Sequence, residues 1–327
     1  MIIIGIETSC DETGIGILEN NKLLVNIVAS QEDIHSKFGG VVPELASRQH
    51  LEKIDILFNI AVEKSKININ NINYIGVTSQ PGLKGSLIVG VSFASGLSFS
   101  LEKPIYKIDH LKGHIAANYF DKNIEFPAIG LVISGGHTSF YYLKNHIDFK
   151  LIGRTLDDAC GEVFDKVGRM LALPFPGGPQ IEKHAKNGDE NKIKFPVALI
   201  SKESLDFSFS GLKTAVNYYI KKNGLNNIPD ICASFQKVIA DTLCIKIERA
   251  INKYKVKSLL LGGGVVQNEY IRGRIKEKTE GKIKLFIPEK KLCMDNGGMV
   301  AILTYFLIKY GVKPSENKID VIPTVEI

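Results

Sequence analysis

Three short apolar runs open the chain, at residues 2–8, 14–19 and 23–29, parted by the polar turns Ser9-Cys-Asp-Glu-Thr13 and Asn20-Asn21. Runs of that length between turn residues read as a strand meander. A second strand–turn–strand covers 128–134, turns through Gly135-Gly136-His137 and returns along Thr138–Leu143. The same layout in different letters points to two related lobes, and that duplication constrains the fold more than any other feature. Between the meanders, residues 43–66 carry Leu45, Leu51, Ile54, Ile56 and Leu57 at helical spacing, 74–78 is strand-like, and 85–101 is helical again. The first hundred residues therefore form an α/β lobe. Helical periods follow at 157–171 and 228–252, a buried strand at 258–261 ends in Gly262-Gly263-Gly264, and a last helix is expected at 296–310.

At 327 residues the chain is long enough for two such lobes. Its hydrophobic share of 44% with 23% charged residues excludes disordered and fibrous classes. The net charge of +6 favours encounters with polyanions, and only six of the 41 cations are Arg, which suits phosphate backbones better than bidentate base reading. Cys10, Cys160, Cys232, Cys244 and Cys293 are odd in number and form no CxxC pair, so neither a disulfide scaffold nor a thiolate zinc site is indicated. The start, Met1-Ile-Ile-Ile-Gly-Ile, runs into Glu7, Asp11 and Glu12 without the basic head of a signal peptide, and a cytoplasmic protein is expected. The uncharged window between Lys84 and Glu102 holds five serines and three glycines in 17 residues, which fits a buried helix better than a membrane span.

Chemistry-bearing residues fall into three groups. His110-Leu-Lys-Gly-His114 follows a strand at 105–109, and residues four apart share a helix face, so two imidazoles can meet one divalent cation. The bland alternative is a pair of surface or core histidines with other partners. Leu111 stands where a zincin needs its general-base Glu, which disfavours a metalloprotease. The glycine turns Ile133-Ser-Gly-Gly-His-Thr138, Pro176-Gly-Gly-Pro179 and Leu261-Gly-Gly-Gly-Val-Val-Gln-Asn268 either let backbone N–H groups approach a phosphate or are simply tight turns. None matches the P-loop or the full GxGxxG signature. Among the acids, Asp11 and Glu12 lie in the first turn, Asp165 follows Leu156-Asp-Asp-Ala-Cys-Gly-Glu-Val-Phe164, and Asp295 precedes Asn296-Gly-Gly298. Asp295 is either an N-cap or a ligand.

Taken together these segments resemble the TsaD family, formerly Gcp or O-sialoglycoprotein endopeptidase. The likeness rests on Gly5-Ile-Glu-Thr-Ser-Cys-Asp-Glu-Thr13, His35 with Gly39-Gly-Val-Val-Pro-Glu-Leu-Ala-Ser-Arg-Gln-His50, His110 to His114, Ser134-Gly-Gly-His-Thr138, Thr155-Leu-Asp-Asp158, Phe164-Asp-Lys166, Pro176-Gly-Gly-Pro179, Phe207-Ser-Phe-Ser-Gly-Leu-Lys213, Gly262-Gly-Gly264 with Asn268, and Cys293-Met-Asp-Asn296. The resemblance implies an α/β fold of the ASKHA type (actin, sugar kinase, Hsp70), a duplicated two-lobe fold with a nucleotide cleft between lobes. Its lobes would be 1–108, completed by 299–327, and 109–298. It implies transfer of a threonylcarbamoyl group from L-threonylcarbamoyl-AMP to N6 of adenosine 37 in tRNAs reading ANN codons, forming t6A and releasing AMP.

Carried over by position, His110, His114 and Asp295 would hold one divalent metal, Fe2+ or Zn2+. Val132, Ile133, Ser134, Gly135, Gly136, Asp165, Gly178, Glu182 and Asn268 would bind the adenylate, or ATP, ADP or AMP in its place. Asp11 or Glu12 would accept or position the proton. The partners implied are the tRNA anticodon loop, a TsaB-like paralogue and a TsaE-like ATPase, with no membrane, and the motifs fit the bacterial form. Two positions depart from the family pattern: Gln80-Pro81-Gly82, where many relatives have Gly-Pro-Gly, and Glu182, where many have Asp. The rival readings are an ATPase or phosphotransferase of the same fold, the metalloprotease of the older label, and a noncatalytic paralogue, which would lack the His pair.

Overall fold

The computed structural model describes residues 1–120, 122–197, 203–315 and 320–323. Two compact units emerge, one of Met1–Asn123 with Pro288–Ile327 and one of Ile124–Ile287. In the first, β1 (Ile2–Glu7), β2 (Glu12–Glu19), β3 (Lys22–Ser30), β4 (Ile72–Gln80) and β5 (Ile105–Asp109) form one sheet in the order β3-β2-β1-β4-β5. In the second, β6 (Ala128–Ile133), β7 (Thr138–Leu143), β8 (Phe149–Arg154), β9 (Ser258–Gly262) and β10 (Lys284–Phe286) repeat it as β10-β9-β6-β7-β8. Pairing repeats too. β1–β2–β3 and β6–β7–β8 pair antiparallel, while β1–β4–β5 and β6–β9–β10 run parallel. The duplication expected from the meanders is thus a duplication of topology, that of the ASKHA fold.

Helices cover the sheets: α1 (Glu32–His35), α2 (Pro43–Ser65), α3 (Lys84–Leu101) and α4 (His110–Ala116) in the first unit, then α5 (Cys160–Met170), α6 (Gly177–Ala185), α7 (Ser210–Asn223), α8 (Ile228–Tyr254) and α9 (Glu269–Thr279) in the second, and finally α10 (Lys290–Cys293) and α11 (Gly297–Lys309) back in the first. Pro43 sits in the opening turn of α2, where its missing N–H costs nothing, and Lys66 ends that helix at φ 57°. The buried stripe of α2 is Ala46, His50, Ile54, Leu57, Phe58 and Ala61. Leu51 and Ile56, which the apolar spacing placed inward, are 68% and 54% exposed. Ile54 and Leu57 do face inward, joined by Phe58, by the small Ala46 and Ala61 and by the hydrogen-bonded His50.

The apolar helix α3 is long and apolar enough to span a membrane by length and composition, yet it buries only one face, through Ser86, Leu87, Gly90, Val91 and Ala94. Gly90 is required there, since a Cβ would lie 2.2 Å from Thr8 Oγ1. The expectation of a buried helix therefore holds for that one face, five of its 18 residues, and Phe99 is 88% exposed.

Helix α11 packs with its backbone hard against β1 and β2. A Cβ on Gly5 would fall 2.1 Å from Gly297 O and 2.4 Å from Ala301 N, and one on Gly297 would fall 2.1 Å from Gly16 N. None of these glycines has a positive φ, so distance alone requires them. Beyond α11 the chain returns along β5, where Ser315 N donates to Ile105 O at 2.8 Å and Tyr106 Oη to Val312 O at 3.1 Å.

The unit boundaries differ from the 108/109 and 298/299 divisions drawn from the sequence. Helix α4 and the 288–298 segment belong to the first unit, because α4 packs on α11, with Met299 Cγ 3.4 Å from where a Cβ on Gly113 would stand. Of the tail 299–327, residues 316–319 and 324–327 lie outside the described residues.

Candidate metal centre and ligand turns

Strand β5 ends in Asp109, whose side chain accepts a hydrogen bond from Lys112 N at 3.1 Å and so caps α4. With the helix started at that point, His110 and His114 stand one turn apart on the same face, ring centroids 4.6 Å apart. The third ligand candidate comes from far along the chain. Asn296, not Asp295, is the N-cap of α11, accepting from Met299 N at 3.0 Å. The Asp295 carboxylate is left to point elsewhere: Oδ1 is 3.1 Å from His114 Nε2 and 3.5 Å from His110 Nε2. One donor atom from each of the three residues lies within 4.8 Å of the others.

These residues fit a divalent cation. His114 is 1% exposed, and neither of its ring nitrogens makes a hydrogen bond, although Nε2 is within contact distance of Asp295. A buried imidazole without partners is costly, and two imidazoles plus one carboxylate with open positions beyond them is a common catalytic ligand set. Electrostatics agree. Burial pulls the pKa of His110 down, but Asp295 and Glu7 outweigh it and raise it to about 9. A field that favours an imidazolium also favours a metal ion.

Behind His110 lies Glu7, the last residue of β1 and fully buried. Its Oε2 accepts from Thr78 Oγ1 at 2.6 Å and stands 3.1 Å from His110 Nδ1, and its Oε1 accepts from Ser9 N at 2.6 Å. Burial works against the charged form of Glu7, but His110 more than compensates and holds its pKa low. Sequence reasoning passed over this residue. The available signal was a carboxylate closing an otherwise apolar strand.

Asp11 ends the β1–β2 turn and Glu12 opens β2. That turn is anchored by Cys10 O, which accepts from His50 Nε2 at 2.9 Å and Ser86 Oγ at 3.3 Å, and by Ser9 O, which accepts from Leu83 N at 2.7 Å. Helices α2 and α3 thus fix the backbone between the two strands. Glu12 is 8% exposed, and burial, then Asp295 and Asp11, push its pKa well above the ordinary carboxylate value.

The second unit carries the glycine turns. Val132 and Ile133 end β6 inside the core, and Ser134 N donates to His137 O at 2.8 Å to close the turn. A Cβ on Gly135 or Gly136 would meet nothing within 4 Å, and neither has a positive φ. Among the described residues nothing in the packing requires glycine there. Gly263 is the opposite case: φ is 94° and a Cβ would sit 2.4 Å from Ile133 O, so it is a packing glycine.

Asp165 Oδ1 accepts from Gly177 N at 2.8 Å, fixing the turn that carries Gly178. Asn268 caps α9 by accepting from Ile271 N at 2.9 Å and donates to Gln236 Oε1 at 2.8 Å. Glu182 Oε1 accepts from Glu269 N at 2.7 Å. In these contacts Asp165, Glu182 and Asn268 shape their turns through side chains already engaged with the protein. Gln80 Nε2 lies 3.5 Å from Asp109 Oδ2, next to the start of α4.

A further charged cluster supports the 155–160 segment. Asp158 pairs with Lys166 Nζ at 2.7 Å and Lys213 Nζ at 2.5 Å. Burial raises its pKa, but the two ammonium groups prevail and hold it below the ordinary aspartate value. A depressed carboxylate pKa contributes stability that is complete above about pH 4 and is lost as pH falls through the folded value. The melting temperature of the wild type should therefore exceed that of Asp158→Asn at neutral pH, and the gap should close in acid. A gap independent of pH would refute the assignment.

Comparison with known proteins agrees across the chain. The sequence model of a family described as "TsaD: tRNA N6-adenosine threonylcarbamoyltransferase" matches residues 22–302. Relatives bearing the name tRNA N6-adenosine threonylcarbamoyltransferase include one from Thermosipho africanus, 46% identical with all of both chains covered, and one from Bacillus cereus, 46% identical over 92% of this chain and 89% of its own. Among solved structures, HypF from T. kodakarensis aligns over 94% of this chain and 48% of its own with a TM-score of 0.67 at 17% identity. The activator of the 2-hydroxyisocaproyl-CoA dehydratase from Clostridium difficile, with bound ADPNP, aligns over 95% of this chain and 96% of its own with a TM-score of 0.57 at 14% identity. These two likenesses speak to the fold.

Proposed function

The chain belongs to the TsaD family of tRNA N6-adenosine threonylcarbamoyltransferases, and from that membership we propose that it takes its acyl group from L-threonylcarbamoyl-AMP and transfers it to N6 of adenosine 37 in tRNAs reading ANN codons, releasing AMP. The observation that carries this reading is the convergence of His110, His114 and Asp295 close to Asp11 and the buried Glu12.

An adenine amine is a weak nucleophile, so most of the rate must come from holding it against the acyl carbon and from stabilising charge on the acyl oxygen. His110, His114 and Asp295 would hold an Fe2+ or Zn2+ ion, whose chemistry is to orient and polarise the acyl group. Glu12, with its raised proton affinity, or Asp11 would accept the proton that leaves N6. In the second unit, the open backbone of Gly135 and Gly136 offers N–H donors to phosphate or acyl oxygens, with Val132, Ile133 and Ser134 behind it. Asp165, Gly178, Glu182 and Asn268 complete the adenylate pocket by fixing the neighbouring turns.

The positive charge of the chain lies in the second unit, the first being slightly acidic, so the lysines of the second unit are proposed to hold the tRNA phosphates. An unpaired anticodon-loop base can be splayed out and presented to a pocket. A TsaB-like paralogue and a TsaE-like ATPase are the proposed protein partners, and the cytoplasm the proposed compartment.

Incubating the protein with threonylcarbamoyl-AMP and an ANN-decoding tRNA, with and without these partners, should yield AMP and t6A in equal amounts by nucleoside mass spectrometry. AMP release without modified nucleoside, even with both partners present, would overturn the transfer. ATP hydrolysis alone would favour the phosphotransferase reading.

A further inference from the structure

The fully buried Glu7 carboxylate holds one imidazole of the candidate metal centre in a single orientation. Three donors converge on it: Ser9 N on Oε1, and Thr78 Oγ1 and His110 Nδ1 on Oε2. Glu7, Thr78 and His110 stand on β1, β4 and the start of α4, and Ser9 lies in the turn held by Leu83 N. His110 turns its other nitrogen, Nε2, toward Asp295 Oδ1.

A neutral imidazole carries one proton, and whichever ring nitrogen holds it cannot ligate a metal. A carboxylate fixed opposite Nδ1 keeps the proton on that side and leaves the Nε2 lone pair free. Such a partner also makes the ring more basic and locks its rotation. His114 has no such arrangement, since its Nδ1 makes no hydrogen bond. The two histidines are therefore unequal.

We infer that Glu7 is a positioning residue of the metal centre, which sets the tautomer and orientation of His110 so that Nε2 can ligate a divalent cation. The inference rests on the proposal that His110, His114 and Asp295 hold that cation. Ser9 Oγ, 3.0 Å from the same Nδ1, is the competing partner. The carboxylate prevails because a bond to an ionised acceptor is about twice as strong as a neutral one.

Glu7→Gln tests this with little change of shape. A glutamine that keeps its oxygen on Ser9 N turns its NH2 toward His110 Nδ1 and Thr78. That arrangement suits only an imidazole with its proton on Nε2, the form that cannot ligate. Metal-free protein is titrated with Zn2+ against a chromophoric chelator and with Co2+ read by its visible spectrum. The wild type, Glu7→Gln, Ser9→Ala, Thr78→Val and His114→Ala are compared, with the melting temperature of each metal-free form recorded.

The expected result is an affinity for Zn2+ about 10- to 100-fold weaker in Glu7→Gln than in the wild type, with an altered Co2+ spectrum and an unchanged metal-free melting temperature. If the wild type and His114→Ala bind equally, the ligand assignment falls and Glu7 loses its role with it. If His114→Ala abolishes binding but Glu7→Gln binds like the wild type, the positioning role is overturned while the metal centre stands. A loss in Ser9→Ala with none in Glu7→Gln assigns the role to the hydroxyl and also overturns the inference. Should Glu7→Gln fail to fold, Thr78→Val removes the hydroxyl that steadies Oε2. It is expected to weaken Zn2+ binding severalfold, and unchanged affinity in that variant would count as refutation.

Discussion

Replacing His110 and His114 together by alanine is expected to bring the metal content of the purified protein from about one ion per chain to background. Transfer of the acyl group should fall by about a thousandfold or more, equivalent to some 4 kcal/mol of transition-state stabilisation. The fold should survive. Alanine is the best helix former, the N-cap of α4 comes from Asp109 rather than from either histidine, and the small cavity left beside His114 shifts the melting temperature by only a few degrees. Elemental analysis read beside far-UV circular dichroism checks the pair of outcomes. Metal content equal to the wild type in a folded double variant would remove these residues as ligands.

The second large effect is expected at Gly297. Alanine there must place its Cβ about where Gly16 N and Ile15 C now lie, at 2.1 and 2.4 Å. Both are backbone atoms inside a paired strand, so no side chain can swing aside. Relief requires α11 to lift off β1 and β2, and overpacking of that kind costs at least about 3 kcal/mol. Thermal unfolding of Gly297→Ala should begin about 10 °C earlier. Zn2+ affinity should fall as well, because lifting α11 carries Asp295 away from the imidazoles. Gly273→Ala in α9 is the contrasting case: nothing lies within 4 Å of its Cβ, and the substitution should stabilise by about 0.5–1 kcal/mol. If Gly297→Ala melts with the wild type, the close approach of α11 is refuted.

Much of this architecture was legible in the residues. Alternating apolar runs and their turns located β1 to β3, β6 and β7 to within about two residues, and the repeat of the meander revealed two equivalent sheets. The shorter helices α6, α7 and α9 were not visible as helices, because each opens on glycine, serine or a cap and buries few apolar residues. In α2 the period was readable and Ile54 and Leu57 do face inward, but Leu51 and Ile56 do not, their places being taken by Ala46, His50, Phe58 and Ala61.

The site divides along the same line. Spacing alone paired His110 with His114, whereas Asp295, 181 residues further on, read equally as an N-cap or a ligand and joined the pair only through resemblance to a family. The cap that freed it, Asn296, stands beside it in the sequence, and only the geometry of α11 tells the two apart. Glu7 was quoted within a motif without a role, because nothing local says that a strand-end carboxylate will meet a histidine 103 residues away.

The discontinuity of the first unit sets an order on its biogenesis. Residues 124–287 form a body of their own inserted between two parts of another. During synthesis the inserted body can fold while the sheet of β1 to β5 still waits for the helix that covers its glycine face. The carboxylate of Asp295 and the helix that seals the strands leave the ribosome together, after the whole of that inserted body. With His110, His114 and Asp295 as the proposed ligands, a nascent chain is expected to bind a cation only once that helix docks, and a product truncated before it should be unable to retain metal however well its inserted body has folded.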